Sequence, residues 1–396
     1  MFVYADHAAT TPLKREVLDA MMPYLTEQYG NASSVYALAR DAKKALEAAR
    51  EDVAAALGVD RREIYFTGSG SESNNLAIKG ALGALERKGK HIITSATEHH
   101  AVIHTLMRLQ KCGLCELTIL PVDKYGLVSP HVLRAAIKPD TVLVTIMTAN
   151  NEIGTIQPIG ELSKVAREHN VWFHTDAVQA AGHIPMSIEN VDMLSISAHK
   201  FGGPKGVGAF YLRSGIKIPP LVDGGGHEGG LRSGTENIAG IVGLAKALKL
   251  AVDNLASNTL KVAAISKLVT QRLSEIPYSH LTGHPDMRLP GTVSFVFEAV
   301  EGESLVLGLD TRGVAASSAS ACSSGTLDPS HVLLAIGLPH EIAHGSLRLT
   351  FGEENTTKEA EHVVKAVSEV VAKCRAMSPL WDDDKPTERF WSESVL

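Results

Sequence analysis

The chain has 396 residues, 38 basic against 44 acidic for a formal net charge of −6, and is 44% hydrophobic, 21% charged and 5% aromatic. This is ordinary globular composition, long enough to bury its cores without disulfide or metal staples and sized, at about 150 residues per domain, for two to three domains. The charge balance without a basic stripe excludes nucleic acid as the main partner, four cysteines exclude a disulfide framework, and no apolar run approaches the ~18 residues of a membrane span.

The first residues, Met1 to Asp6, carry neither the basic nor the apolar region of a secretory signal, so the expectation is a cytoplasmic protein. In chain order, residues 36–57 are Ala-rich and amphipathic and predict a helix, with Ser33 or Ser34 as its N-cap. Short apolar runs at 64–66, 92–94, 117–121, 142–147, 171–174 and 193–196 predict buried strands. Helical patterns at 71–87, 101–111, 130–137 and 159–168 lie between them, and residues 206–212 predict one more strand. Strand alternating with helix at this spacing implies an α/β fold with a mostly parallel sheet. Residues 236–275 then read as one long helical stretch, and 292–297, 303–309, 331–336, 347–351 and 358–375 as a smaller α+β unit. The expected division is a large domain over 12–255 and a small one over 1–11 and 256–396.

Three motif matches lack their context. Gly224 to Gly229 fits GxGxxG, but it follows Pro219-Pro220 and leads into another loop rather than opening a helix after a strand. His340-Glu341-Ile342-Ala343-His344 fits the zinc-protease HExxH, but Gly345 follows at once and no third-ligand spacing appears. Cys112-Gly113-Leu114-Cys115 fits CxxC, but it joins a helix to a strand, the reverse of a thioredoxin-type pair. No metal is expected.

The residues that follow the strands form a more coherent set. In open parallel sheets ligands bind outside the carboxyl ends of the strands. There the sequence places Thr67-Gly68-Ser69-Gly70-Ser71, then Thr97-Glu98-His99, Asn150-Asn151-Glu152, Asp176 with Gln179, and Ser197-Ala198-His199-Lys200. Small residues opening a helix cradle an anion. With an aromatic ring, a carboxylate and a lysine, they suit pyridoxal 5′-phosphate, which needs a lysine for its aldehyde, an acid for its ring nitrogen and a cradle for its phosphate. Asp176 and Lys200 are spaced for one intervening helix and strand.

At this point the sequence resembles the cysteine desulfurases, class-V aminotransferase-like enzymes of the fold-type I pyridoxal-phosphate group. The resemblance rests on Ala8-Ala9-Thr10-Thr11-Pro12, Gly30-Asn31, Thr97-Glu98-His99, Asn150 to Gly154, Asp176-Ala177-Val178-Gln179, His199-Lys200 with Gly203 to Gly206, Arg232 to Thr235, and Ser317 to Cys322. It runs from residue 4 to about 381. The fold it implies is a mostly parallel seven-stranded sheet flanked by helices, plus a smaller α+β domain. The stretch around Cys322 resembles the group I branch, which serves iron–sulfur assembly, nitrogen fixation and tRNA thiolation.

The resemblance implies that Lys200 holds the cofactor, Asp176 pairs with its ring nitrogen, His99 stacks on the ring and Gln179 faces the ring hydroxyl. Gly70, Ser71, Ser197 and His199 would hold the phosphate, joined by Thr235 from the second subunit of a homodimer. Asn151 and Arg348 would grip the carboxylate of L-cysteine. Cys322 would be the nucleophile, accepting sulfur as a persulfide, releasing L-alanine and passing the sulfur to an acceptor such as an iron–sulfur scaffold protein. Its neighbours from Ala316 to Gly325 include no large apolar anchor, in keeping with a mobile carrier loop. A selenocysteine lyase or an aminotransferase on the same scaffold, and a non-catalytic assembly partner, are the alternative readings.

Overall fold

The computed structural model describes residues 1–318 and 328–381; Cys322 lies outside the described residues. The chain opens with a short strand, β1 (Val3–Tyr4), and two helices, α1 (Arg15–Thr26) and α2 (Ala37–Leu57). Strands and helices then alternate: β2 (Ile64–Thr67), α3 (Gly70–Ala84), β3 (His91–Ser95), α4 (His100–Lys111), β4 (Glu116–Leu120), α5 (Pro130–Ala136), β5 (Thr141–Thr145), α6 (Ile159–Glu168) and β6 (Trp172–Asp176). Two strands, β7 (Met193–Ser197) and β8 (Gly208–Leu212), precede the helices α7 (Ile238–Asp253) and α8 (Leu255–Leu273). The remainder comprises β9 (Ser279–Leu281), β10 (Thr292–Phe297), α9 (Gly302–Asp310), β11 (Val314–Ala315), α10 (His331–Ala335), α11 (His340–Ala343), β12 (Ser346–Thr350) and α12 (Thr357–Met377).

Strands β2 to β8 form one seven-stranded sheet in the order β2-β8-β7-β6-β5-β3-β4. Neighbours are parallel except at β8, which runs antiparallel to both β2 and β7. Every residue of β3, β5, β7 and β8 is buried. Helices cover both faces of this sheet, which is why its strands read as apolar runs rather than as alternating patterns. Leu46, Ala49 and Val53 of α2 pack with Leu244 and Leu248 of α7 in one core, while Leu76 and Ile78 of α3 and Leu106 of α4 pack with Phe210 in another. The expected fold class is the one observed.

A second, antiparallel sheet of order β12-β10-β9 packs its Val293, Phe295, Leu347 and Leu349 against Val363, Val367 and Val370 of α12. β1 pairs with β11 in parallel. The N-terminal segment then bridges the two sheets. The N–H of Thr350 in β12 donates to Ala5 O, and the N–H of Thr11 donates to His199 O beyond β7.

Three local expectations are corrected. The stretch 236–275 is two helices, because Asn254 (φ −102°, ψ 8°) leaves helical geometry and ends α7. The N-cap of α2 is Tyr36, which makes no side-chain cap bond, and neither Ser33 nor Ser34 serves; the N–H of Ser33 is instead taken by Asn31 Oδ1 at 2.9 Å. The crossover from β6 to β7 contains no α-helix. It is built of turns, with Gly182 at φ 76°, outside helical geometry, and so close to α7 that a Cβ there would stand 2.7 Å from Ala251 Cβ. Among the described residues no helix is long and apolar enough to cross a membrane.

Candidate active site

The carboxyl ends of β2, β5, β6 and β7 meet α3, the N-terminal segment and β12 around one cavity of about 430 Å³. Gly70, Ser71, His99, Asn151, Asp176, Gln179, Ser197, His199, Lys200 and Arg348 all line it, together with Asp6, Ala8, Ala9, Asn74 and Ser317. Ten of the sequence-derived residues thus share one crevice. Thr235 does not line it; it lies exposed after Arg232, whose Nε donates to Glu72 Oε1 of α3 at 2.9 Å.

The α3 end of the cavity suits an anion. Ser69 caps the helix, its Oγ accepting from Glu72 N at 3.1 Å, and the first intrahelical bond runs from Ser73 N to Ser69 O. The N–H groups of Gly70 and Ser71 precede that bond, at the positive end of the helix dipole. Gly70 allows a close approach: a Cβ there would stand 2.6 Å from Val178 Cγ2 and 3.4 Å from Ser197 Cβ. His199 borders the same end, its Nδ1 3.1 Å from Thr10 Oγ1, and burial followed by the charges of Lys200 and Lys205 pushes its pKa down to about 4.

One helical turn further, Asn74 Nδ2 donates to Asp176 Oδ2 at 2.6 Å, and Val178 N donates to Asp176 Oδ1 at 3.0 Å. Asp176 is 5% exposed, and Asn74 Oδ1 is buried without a partner among the described residues. Lys200 follows β7 in a single turn of 3₁₀ helix; its Nζ donates to Ala8 O at 2.5 Å and to Ala9 O at 2.9 Å. Gln179 Nε2 donates to Ala8 O at 3.0 Å.

His99 is the N-cap of α4, and its Nδ1 accepts from Ala101 N at 3.1 Å. That bond places the ring proton on Nε2. Burial lowers the His99 pKa, Asp176 opposes the shift and Lys200 adds to it, so the ring is neutral near pH 7.

On the opposite wall Arg348 of β12 is 4% exposed. Its Nη1 donates to Asn151 O at 2.9 Å and its Nη2 to Asp6 Oδ1 at 2.8 Å, while Nε is buried without a partner among the described residues. Ser317 pairs with Arg348 through both backbone groups and lies five positions before Cys322 in sequence.

Sequence reasoning missed Asp6, Asn74 and the carbonyls of Ala8 and Ala9. The carbonyls act through the backbone, and the alanine side chains give no sign of it. Asn74 is legible only once 70–84 is known to be a helix starting at Gly70, which sets it over Asp176.

The three motif matches have structural explanations. Glu228, inside the Gly-rich loop, accepts from Arg50 Nη1 and Nη2 and from Phe66 N, each at 2.8 Å, and so pins that loop to α2 and β2. His340 opens a four-residue helix and His344 is its C-cap, with ring centroids 4.7 Å apart, and no group of three metal-ligating side chains occurs among the described residues. Cys112 is exposed and Cys115 buried; both are free thiols, as is Cys374.

Residues 3–363 match the family model described as aminotransferase class-V. A protein named cysteine desulfurase IscS, from Methanosarcina thermophila, is 53% identical over 96% of this chain and 94% of its own. The chain belongs to the cysteine desulfurases of the class-V aminotransferase family. Among solved structures, a NifS-like protein superposes with a TM-score of 0.89 at 38% identity, covering 94% of this chain and all of its own. A structure titled SspA in complex with cysteine superposes with a TM-score of 0.78 at 37% identity, covering 89% of this chain and 99% of its own.

Proposed function

We propose that this cysteine desulfurase uses pyridoxal 5′-phosphate to convert L-cysteine to L-alanine, leaving the sulfur as a persulfide on Cys322. The observation that carries the reading is the meeting of Lys200, Asp176, His99 and the α3 N-terminus in one cavity, with Arg348 on its far wall. The residues fit the cofactor. Gly70 and Ser71 line the cavity at the N-terminus of α3, where their N–H groups precede the first intrahelical bond, a buried carboxylate stands ready for a ring nitrogen, and a lysine amine lies in the same crevice.

Lys200 would hold the aldehyde, Asp176 the ring nitrogen, His99 the ring face and Gln179 the ring hydroxyl. Gly70, Ser71, Ser197 and His199 would hold the phosphate, with Thr235 supplied by a second copy of the chain. When bound, the cofactor supplies an electron sink for the charge left at the substrate's α carbon. Arg348 and Asn151 orient the substrate carboxylate. Lys200 Nζ takes the α proton, and His99 Nε2 presents a hydrogen-bond donor beside it. Cys322 Sγ, as thiolate, attacks the substrate sulfur; an S–S bond forms as the Cβ–S bond breaks, and protonation of the carbon completes L-alanine.

A homodimer accords with the exposed apolar side chains of Met22 and Leu25 in α1 and of Tyr29, Val35 and Tyr36 between α1 and α2, since exposed apolar residues concentrated in one stretch of chain are of the kind that partners cover. Free thiols at the three described cysteines suit a reducing cytoplasm. The acceptor is a sulfur-carrying protein such as an iron–sulfur scaffold. The division into a large domain (12–255) and a small one (1–11 with 256–396) assigns the cofactor groups to the first, and Arg348 and Cys322 to the second. The test is L-alanine formation from L-cysteine without added ketoacid. A ketoacid requirement would mark an aminotransferase, and activity confined to selenocysteine would mark a lyase for that substrate.

A further inference from the structure

The cavity wall around Arg348 holds more than a carboxylate site needs. Thr350 of β12 binds the N-terminal segment on both sides, its N–H donating to Ala5 O at 2.7 Å and its carbonyl accepting from His7 N at 3.2 Å. Asp6 is therefore locked beside β12, and its Oδ1 accepts from Arg348 Nη2 at 2.8 Å. The Asn151 carbonyl takes a second donor from Nη1. Nε keeps no partner among the described residues although it is buried, a costly state for a charged donor unless a ligand acceptor joins it.

Charge sharpens the point. Apart from the charges that the cofactor brings, the formally charged lysine, arginine and carboxylate side chains that line the cavity are Lys200 and Arg348 against Asp6 and Asp176, so the protein's own side-chain charges balance. The two lining histidines, His99 and His199, are pushed toward neutrality by burial. A zwitterionic amino acid brings no net charge to this site. An amino acid with an acidic side chain brings one extra negative charge into a cavity whose wall already holds the Asp6 carboxylate.

We propose that Asp6 is a specificity-determining residue: its carboxylate fixes Arg348 and sets the charge of the wall, so that the site admits zwitterionic amino acids and disfavours those with a second acidic group. This rests on the reading of the cavity as an amino-acid site. Asp6 orients the guanidinium through one Nη2 bond and leaves Nε for the incoming α-carboxylate. Its negative charge repels a side-chain carboxylate that competes for the same arginine. Asparagine at this position preserves an acceptor for Nη2 and removes only the charge.

The experiment is calorimetric titration of L-alanine and of L-aspartate into the cofactor-loaded wild type, Asp6→Asn and Asp6→Glu proteins, with melting temperatures recorded for each. Wild type is expected to bind L-aspartate at least about tenfold more weakly than L-alanine. Asp6→Asn is expected to narrow that ratio by about tenfold, and Asp6→Glu to keep it. Equal affinities in the wild type overturn the proposal without recourse to any variant. A folded Asp6→Asn protein whose ratio stays within about twofold of wild type overturns it too, and leaves Asp6 a structural clamp between the N-terminal segment and β12. If the wild type binds neither amino acid, the reading of the cavity fails and this inference with it. Binding of L-alanine with an unmoved ratio removes the role of Asp6 alone.

Discussion

Glu98 sits directly before His99, fully buried between the ends of β3 and β5. Its Oε1 accepts from Ser95 Oγ at 2.6 Å and from Met147 N at 3.0 Å, and its Oε2 has no partner among the described residues. Burial pushes its pKa up to about 8; the two hydrogen bonds oppose the rise and nearby Asp176 adds to it. The folded chain therefore keeps this acid protonated at pH 7, while the unfolded chain ionises it near 4.5. Because the folded pKa is raised, the folded state binds the extra proton, and stability falls as pH climbs from about 4.5 to about 8. At pH 7 that loss amounts to about 3 kcal/mol. Glu98→Gln replaces the protonated acid by a group of the same shape that is neutral at every pH, and its Oε1 keeps both acceptor bonds. Melting temperatures of wild type and variant, measured side by side at pH 5, 6, 7 and 8, are expected to diverge by several degrees in favour of the variant at pH 8 and to converge at pH 5. A gap that does not change with pH, or one that favours the wild type more at pH 8 than at pH 5, refutes the reasoning and means that Glu98 is ionised and compensated.

Two substitutions probe the groups that frame the site. Gly70→Ala sets a methyl 2.6 Å from Val178 Cγ2, so the α3 end shifts and cofactor affinity, read by equilibrium dialysis, drops at least about tenfold; Val178→Ala in the same chain restores part of it. Unchanged affinity in Gly70→Ala would show that the cradle lies elsewhere. Arg50→Leu strands the buried Glu228 carboxylate with Phe66 N as its remaining donor among these contacts, a loss of about 3–5 kcal/mol seen as a lower melting temperature, and adding Glu228→Gln recovers part of it.

What could be read beforehand follows from where side chains carry the information. The buried strands announced themselves as apolar runs because both sheet faces are covered, and β10 begins and ends where its pattern does, at Thr292–Phe297. Asp176, Lys200 and His99 stand out at strand ends by their side-chain chemistry, and all three line one cavity. The crossover to β7 was misread because chain length alone cannot distinguish a helix from a set of turns closed by Gly182. The break at Asn254 was hidden by apolar spacing that continues through it. The N-terminal segment was the least legible part. Ala8 and Ala9 hold Lys200 through carbonyls, and Asp6 meets Arg348 only because β12 returns beside it, a long-range pairing that no local pattern encodes.

In the proposed reaction sulfur leaves L-cysteine onto one particular thiol. The most direct measurement is mass spectrometry of peptides from cofactor-loaded protein treated with one equivalent of L-cysteine and no reductant, with L-alanine quantified in the same sample. The expected result is a gain of one sulfur atom on the peptide that contains Cys322, matched by an equal amount of L-alanine, and loss of both in Cys322→Ser. Added sulfur on Cys112, Cys115 or Cys374 instead, or full L-alanine output from Cys322→Ser, would contradict it.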